Sequence, residues 1–97
     1  MNTSHDDAPE ERARVYGILA PLIMAFHVHN AGKQFHIEDL RRYVLEFAPS
    51  GAIAPDSPGR ILREMRLEGK LNYVVLNRRQ SLYQFREVLA DFDQAHN

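Results

Sequence analysis

The part of the sequence that most restricts the fold is residues 56–85, where an arginine-rich helical segment ends at a glycine and precedes two strand-like runs. Asp56 or Ser57 can cap this helix, and Pro58 fits a first turn because the N–H it lacks has no partner there. Gly69 can adopt the left-handed conformation that ends a helix. Residues 71–76 and 81–86 are rich in β-branched and aromatic residues and flank a basic turn at residues 77–80. The pattern predicts a helix over residues 57–68 followed by a β-hairpin.

Two further helices are predicted before this unit. Apolar residues recur at three- and four-residue steps from Pro9 to about Val28, and a second amphipathic stretch runs from Ile37 to about Phe47, after a short strand at residues 33–35. Pro21 lies inside the first stretch, so we expect either a kink near residues 17–21 or a break into two helices. The predicted core residues are Val15, Ile18, Leu19, Leu22, Ile23 and Phe26 in the first helix, Ile37, Leu40, Val44, Leu45 and Phe47 in the second, and Ile53 in the connector.

The length of 97 residues predicts one domain, over residues 9–97, with a single core and no room for a large enclosed active site, so an enzyme is not expected. Residues 1–8 are polar and acidic and are predicted to be a disordered arm. Val88, Leu89 and Phe92 have spacing that indicates a short C-terminal helix. These features predict an α+β fold.

The termini and the absence of cysteine restrict the cellular context. The first residues carry acids where a signal peptide needs basic charge, and the longest apolar run, residues 18–26, is too short to span a bilayer. With no cysteine, the chain has no disulfide and no thiolate metal site. The sequence therefore predicts a cytoplasmic protein that does not associate with membranes.

Charge is unevenly distributed along the chain. Residues 57–86 contain seven basic residues and two acids, whereas both ends are acidic and the net charge of the whole chain is −1. On a helix with 100° per residue, Arg60, Arg63 and Arg66 share one flank, beside the apolar arc of Ile61, Leu62 and Met65. This segregation favours a polyanionic partner such as nucleic acid, although a near-neutral whole chain argues against strong DNA binding.

Five arginines and one serine are the candidate DNA-binding residues. The planar guanidinium fork can bind guanine O6 and N7 or two phosphate oxygens, so Arg60, Arg63 and Arg66 are expected to contact DNA from the helix. Arg78 and Arg79 in the turn, and the hydroxyl of Ser57, are expected to contact phosphate. The alternative is structural, with Arg60 and Arg63 paired to Glu64 or Asp56, the turn charges simply solvated, and Ser57 serving as a cap.

Three histidines, His27, His29 and His36, raise the question of a metal site, because imidazole binds zinc. Residues two apart on a helix point to nearly opposite sides, and no carboxylate or cysteine joins them at ligand spacing. We therefore predict no metal site and no cofactor, with His27 partly buried in the core, His29 on the surface and His36 as the N-cap of the second helix.

The order of helix, short strand, helix, turn, helix and hairpin resembles the winged helix-turn-helix fold, a three-helix bundle with a β-hairpin wing. The most specific part is similar to the winged-helix domain of methyl-directed restriction endonucleases and of related phage and plasmid proteins. It comprises Pro55, Asp56, Ser57, Arg60, Leu62, Arg63, Met65, Arg66, Gly69, Tyr73 and Tyr83. The chain departs from that family in having no nuclease domain and no tryptophan, so neither cleavage nor an indole clamp on a modified base is implied.

The resemblance implies double-stranded DNA binding and transcription regulation, with helix 57–68 in the major groove and wing 77–80 on the backbone or in the minor groove. The alternative is a winged-helix protein-interaction module whose basic face binds an acidic protein. The apolar stripe of the first helix is long for so small a domain, which is compatible with a homodimer through that helix and the C-terminal segment.

Overall fold

A computed structural model describes residues 9–48 and 53–88 of the chain. Its elements are α1 (Pro9–His29), β1 (Gln34–His36), α2 (Ile37–Phe47), α3 (Ser57–Leu67), β2 (Asn72–Asn77) and β3 (Leu82–Arg86). The α+β class is confirmed. The predicted N-terminal arm and C-terminal helix lie outside the described residues. Within the described ranges, no helix combines the length and apolar character needed to cross a bilayer.

The three strands form one antiparallel sheet in the order β1-β3-β2. The predicted hairpin is confirmed, with Tyr73 opposite Phe85 in β2 and β3. β3 begins at Leu82 because Ser81 adopts a left-handed conformation with φ of +55°. The carbonyl of Ser81 accepts a hydrogen bond from the Ile37 N–H at 3.0 Å, which joins the hairpin to the start of α2. The sheet therefore connects the hairpin to the helices.

The core lies between the three helices and one face of this sheet. Its centre is aromatic, because the Phe85 ring lies 4.4 Å from Phe35 and 6.1 Å from Phe26, measured between ring centroids. Ile53 packs against the core from the connector, as predicted. The buried apolar residues are Val15, Leu19, Ile23, Phe26, Phe35, Leu40, Val44, Ile61, Leu62, Met65, Leu71, Tyr73 and Phe85.

The predicted core of α2 is wrong at two positions. Leu40 and Val44 are buried, but Leu45 is 54% exposed and Phe47 is 56% exposed. Both lie in the last turn of the helix, and Leu45 is turned by about 100° from Val44. The Phe47 ring contacts Tyr43 on the same helix, 4.8 Å between centroids, instead of entering the core.

Helix α1 continues through Pro21 as one element, so of the two expected alternatives, a kink or a break into two helices, the break does not occur. Proline removes the hydrogen bond to the carbonyl four residues earlier, which belongs to Gly17. Pro21 and Gly17 are both exposed, so this part of the helix lies on the solvent side, where water can hydrogen-bond to the freed carbonyl. The buried side chains of Leu19 and Ile23 hold the two halves of α1 on one core.

Two predicted helix boundaries are confirmed by their hydrogen bonds. His36 caps α2, because its Nδ1 accepts from the Glu38 N–H at 3.0 Å and its own N–H donates to Asp39 Oδ2 at 3.0 Å. After α3, Gly69 has φ of +79°, and its N–H donates to the Arg66 carbonyl at 3.0 Å. The chain therefore turns sharply from α3 into β2.

Replacing Gly69 and Gly17 by alanine is expected to have opposite effects on the stability of the protein. Gly69→Ala is expected to destabilise the protein by about 1 to 2 kcal/mol, because a Cβ is unfavourable at positive φ. Gly17→Ala is expected to stabilise it by about 0.5 to 1 kcal/mol, because Gly17 lies within a helix with nothing within 4 Å of an added Cβ. Urea unfolding of both variants measures the difference, and equal signs would contradict the conformation given to Gly69.

Candidate nucleic-acid interface

Helix α3 separates buried and exposed residues as its sequence predicts. Ile61, Leu62 and Met65 are buried, while Arg63, Arg66 and Leu67 are exposed. Leu67 is 87% exposed and packs against neither the hairpin nor the core. The outward face of α3 therefore carries guanidinium groups and one apolar side chain.

Several basic side chains in the described residues pair with acids that are close to them in sequence. Arg14 pairs with Glu11 at 2.5 Å, Arg42 pairs with Asp39 at 3.4 Å, and Arg41 pairs with Glu38. Arg60 lies 3.6 Å from Glu64, and Lys70 lies 3.4 Å from Glu68. All four arginines have their acid three or four residues away on the same helix, where side chains are neighbours.

Arg60 contacts two residues of its own helix, and its side chain is only partly exposed to solvent. Its Nη1 lies 3.6 Å from Glu64 Oε2, its Nη2 is 3.4 Å from the Ser57 hydroxyl oxygen, and its side chain is 26% exposed. Arg60 therefore pairs with Glu64, as the structural alternative predicts.

Arg63 and Arg66 have no carboxylate partner among the described residues. The sequence explains this, since the positions three and four residues before and after each of them hold no acid. Arg66 lies over the ring of Tyr73 in β2, 4.8 Å from its centroid, which sets α3 against the sheet. Neither guanidinium group is thus neutralised by a described acid.

Arg78 and Arg79 are exposed in the hairpin turn, also without an ion pair to a described acid. The turn is ordered by its backbone, because Asn77 Oδ1 accepts from the Gln80 N–H at 3.0 Å and the Ser81 N–H donates to the Arg78 carbonyl at 3.2 Å. Five residues of strand separate Arg78 from Tyr73, or about 17 Å. The turn arginines therefore lie well away from Arg66.

Ser57, which is also among the predicted DNA-binding residues, is buried at the start of α3. It is 2% exposed, and its hydroxyl accepts from Arg60 Nη2 at 3.4 Å. Its N–H donates to the Ala54 carbonyl at 3.0 Å. Asp56 occupies the N-cap position, so Ser57 is the first residue of the helix and turns inward with Pro58. In this structure the hydroxyl contacts Arg60 of the same helix instead of solvent.

The C-terminal end of α3 is fixed to α1 by a polar cluster that the sequence did not predict. The Tyr16 hydroxyl donates to the Glu68 carboxylate and accepts from Lys70 Nζ at 2.8 Å. The hydrogen bond from Tyr16 lowers the pKa of Glu68, and the hydrogen bond to Tyr16 raises the pKa of Lys70. More than fifty residues separate Tyr16 from its partners, so no local pattern marks the contact.

The three histidines have separate environments. His27 packs edge-on against Phe85, 4.7 Å between centroids, and burial lowers the pKa of His27 below its usual 6.5. His29 is exposed and His36 caps α2. No group of three metal-ligating side chains comes together within residues 9–48 and 53–88.

Four arginines, Arg63, Arg66, Arg78 and Arg79, define what we call the basic surface. Each has a guanidinium group that no described carboxylate neutralises, so each can donate paired hydrogen bonds to phosphate or to guanine. Comparisons with protein-family models, with curated proteins and with solved structures find no match for this chain.

Proposed function

We propose that this protein binds double-stranded DNA as a winged helix-turn-helix domain, with α3 in the major groove and the turn at residues 77–80 on the flanking backbone or minor groove. The observation that carries the proposal is the basic surface, because the described arginines of α2 are ion-paired while those of this surface are not. The order of elements and the sheet order β1-β3-β2 are compatible with that fold.

The dimensions of the basic surface suit a duplex. A helix fits the major groove, which is about 12 Å wide, and the turn arginines lie about 17 Å from Tyr73 along β2, which is far enough to pass the groove edge. In this arrangement Arg63 and Arg66 face base edges, and Arg78 and Arg79 face phosphates. Occupancy of a DNA site in this way would serve transcription regulation.

A homodimer remains part of the proposal, since two copies would present two α3 helices to paired half-sites. The apolar stripe of α1 is largely used inside the monomer, because Val15, Leu19, Ile23 and Phe26 are buried. The C-terminal segment that would complete the dimer lies outside the described residues.

Fluorescence anisotropy with a labelled 30-base-pair duplex, titrated at salt concentrations from 50 to 300 mM, tests DNA binding. Two neutralised phosphates, one each for Arg78 and Arg79, predict a slope of log K against log salt of about −1.8. The double variant Arg78→Ala, Arg79→Ala is expected to reduce the magnitude of the slope by about 1.8. A protein that does not bind the duplex even at 50 mM salt contradicts the proposal.

The second candidate function is the docking of an acidic protein on the same surface. Its support is the net charge of −1 and a sequence pI of about 6.5, which are unfavourable for phosphate neutralisation by the whole chain. Competition separates the two candidates. Unlabelled duplex is expected to displace the labelled duplex at a far lower concentration of negative charges than polyglutamate does. Displacement by polyglutamate at the lower concentration would favour a protein partner.

A further inference from the structure

Leu67 takes no part in the core that the described residues form. It is 87% exposed, more than Val28, Leu45, Phe47, Val75, Leu76 or Val88. It is the last residue of α3 and follows Arg63 by one helical turn. Its neighbours are Arg63 and Arg66 together with two acids, Glu64 and Glu68. The two acids pair with Arg60 and Lys70. The leucine therefore stands beside two arginines that no described acid neutralises.

The C-terminal half of α3 is the part equipped to contact a ligand. In the first turns Ser57 and Pro58 are buried, Gly59 has no side chain, and Arg60 is paired with Glu64. In the last turns Arg63, Arg66 and Leu67 are exposed, and the Arg66 contact with Tyr73 places this half beside the sheet. Any reading of base edges by α3 therefore depends on these three side chains.

The major groove displays one apolar group, the C5-methyl of a pyrimidine, which thymine carries always and cytosine carries when methylated. A stable protein interface buries about 800 Å² on each partner, far more than one leucine provides. A leucine beside two unpaired guanidinium groups is suited instead to a point contact with a methyl group on a polyanion.

We propose that Leu67 is a specificity-determining residue that contacts the C5-methyl group of a pyrimidine in the major groove. The inference rests on the proposed DNA binding. One helical turn separates Leu67 from Arg63, an axial rise of about 6 Å, and base pairs are spaced by about 3.4 Å. The methylated pyrimidine is thus expected about two base pairs from the base pair that Arg63 contacts.

Selection from a randomised duplex library first gives the preferred sequence, and each thymine in it is then replaced singly by uracil, which removes only the methyl group. For the unaltered protein, one position is expected to lose affinity roughly fourfold, the effect of one buried methyl group. At that position a C·G pair is expected to bind weakly and a 5-methylcytosine·G pair to recover affinity, which identifies the methyl group and not the base as the feature recognised.

The protein variants complete the test. Leu67→Ala is expected to bind with an unchanged salt slope but with no response to uracil, whereas Leu67→Met, which keeps an apolar side chain, retains the response. The thermal midpoint of each variant checks the fold.

Failure of any duplex to bind contradicts DNA binding itself. Binding that is unaffected by uracil and by 5-methylcytosine at every position, or a Leu67→Ala variant that responds like the unaltered protein, overturns the role of Leu67 and leaves DNA binding standing.

Discussion

Changing Arg63 and Arg66 together to alanine is expected to weaken duplex binding by at least about thirtyfold. Each arginine that contacts a base edge contributes about 1 to 3 kcal/mol, and every 1.4 kcal/mol is a factor of ten in affinity. Both side chains are exposed on α3 without a described carboxylate partner, so removing them takes away charge that no acid had neutralised. Anisotropy titrations at a fixed 100 mM salt measure the change.

The matched control is the double variant Arg14→Ala, Arg42→Ala, which removes the same charge. Arg14 pairs with Glu11 on α1 and Arg42 with Asp39 on α2, so its effect on binding is expected to stay within about threefold. Thermal unfolding of both variants checks the fold, because Arg66 also contacts Tyr73. Equal losses in the two double variants would show that net charge alone, and not the basic surface, governs binding.

Phe85→Ala is expected to lower the free energy of unfolding by about 3 to 5 kcal/mol, the usual cost of removing a buried phenylalanine ring. Phe85 is 1% exposed and contacts the rings of Phe35, Phe26 and His27, so its loss leaves a cavity where β3 meets α1. The total stability of a domain is about 5 to 15 kcal/mol, so this loss is a large fraction of it. Urea unfolding followed by circular dichroism measures it.

Phe47→Ala is the matched control, since it removes the same ring from the end of α2. Phe47 is 56% exposed and contacts Tyr43, so the loss is expected to be below about 1 kcal/mol. Comparable losses at Phe47 and Phe85 would contradict the placement of the core.

The elements predicted best are those fixed by neighbours in sequence. His36 and Gly69 mark the start of α2 and the end of α3 through bonds within a few residues, and the hairpin pairs strands that are adjacent in the chain. The pairing of β1 with β3 joins residues almost fifty positions apart, and no local pattern encodes it. The choice between a kink and a break at Pro21 stayed open for a related reason, because the tolerance of a proline within a helix depends on which side of α1 faces water.

The sequence gives the types of the candidate residues, but only in part which of them are exposed and unpaired. Arg60 and Arg63 look alike by type, yet only Arg60 has an acid four residues later, and this spacing accounts for the difference between them. The signal was present in the sequence. The burial of Ser57 could not be predicted from the sequence. A serine beside an N-cap aspartate can have an exposed or a buried hydroxyl, depending on how α3 packs.

The cluster of Tyr16, Glu68 and Lys70 has a consequence for the entropy of association. The cluster holds the C-terminal end of α3 on α1, and Ser57 and Pro58 are buried at the N-terminal end. The helix backbone is therefore already ordered before a ligand binds. Binding then has to order only exposed side chains, at a free-energy cost of about 0.5 to 1.5 kcal/mol for each one immobilised. Tyr16→Phe removes the hydroxyl that makes these hydrogen bonds. The variant is therefore expected to make the C-terminal end of α3 more mobile without changing the side chains of the basic surface.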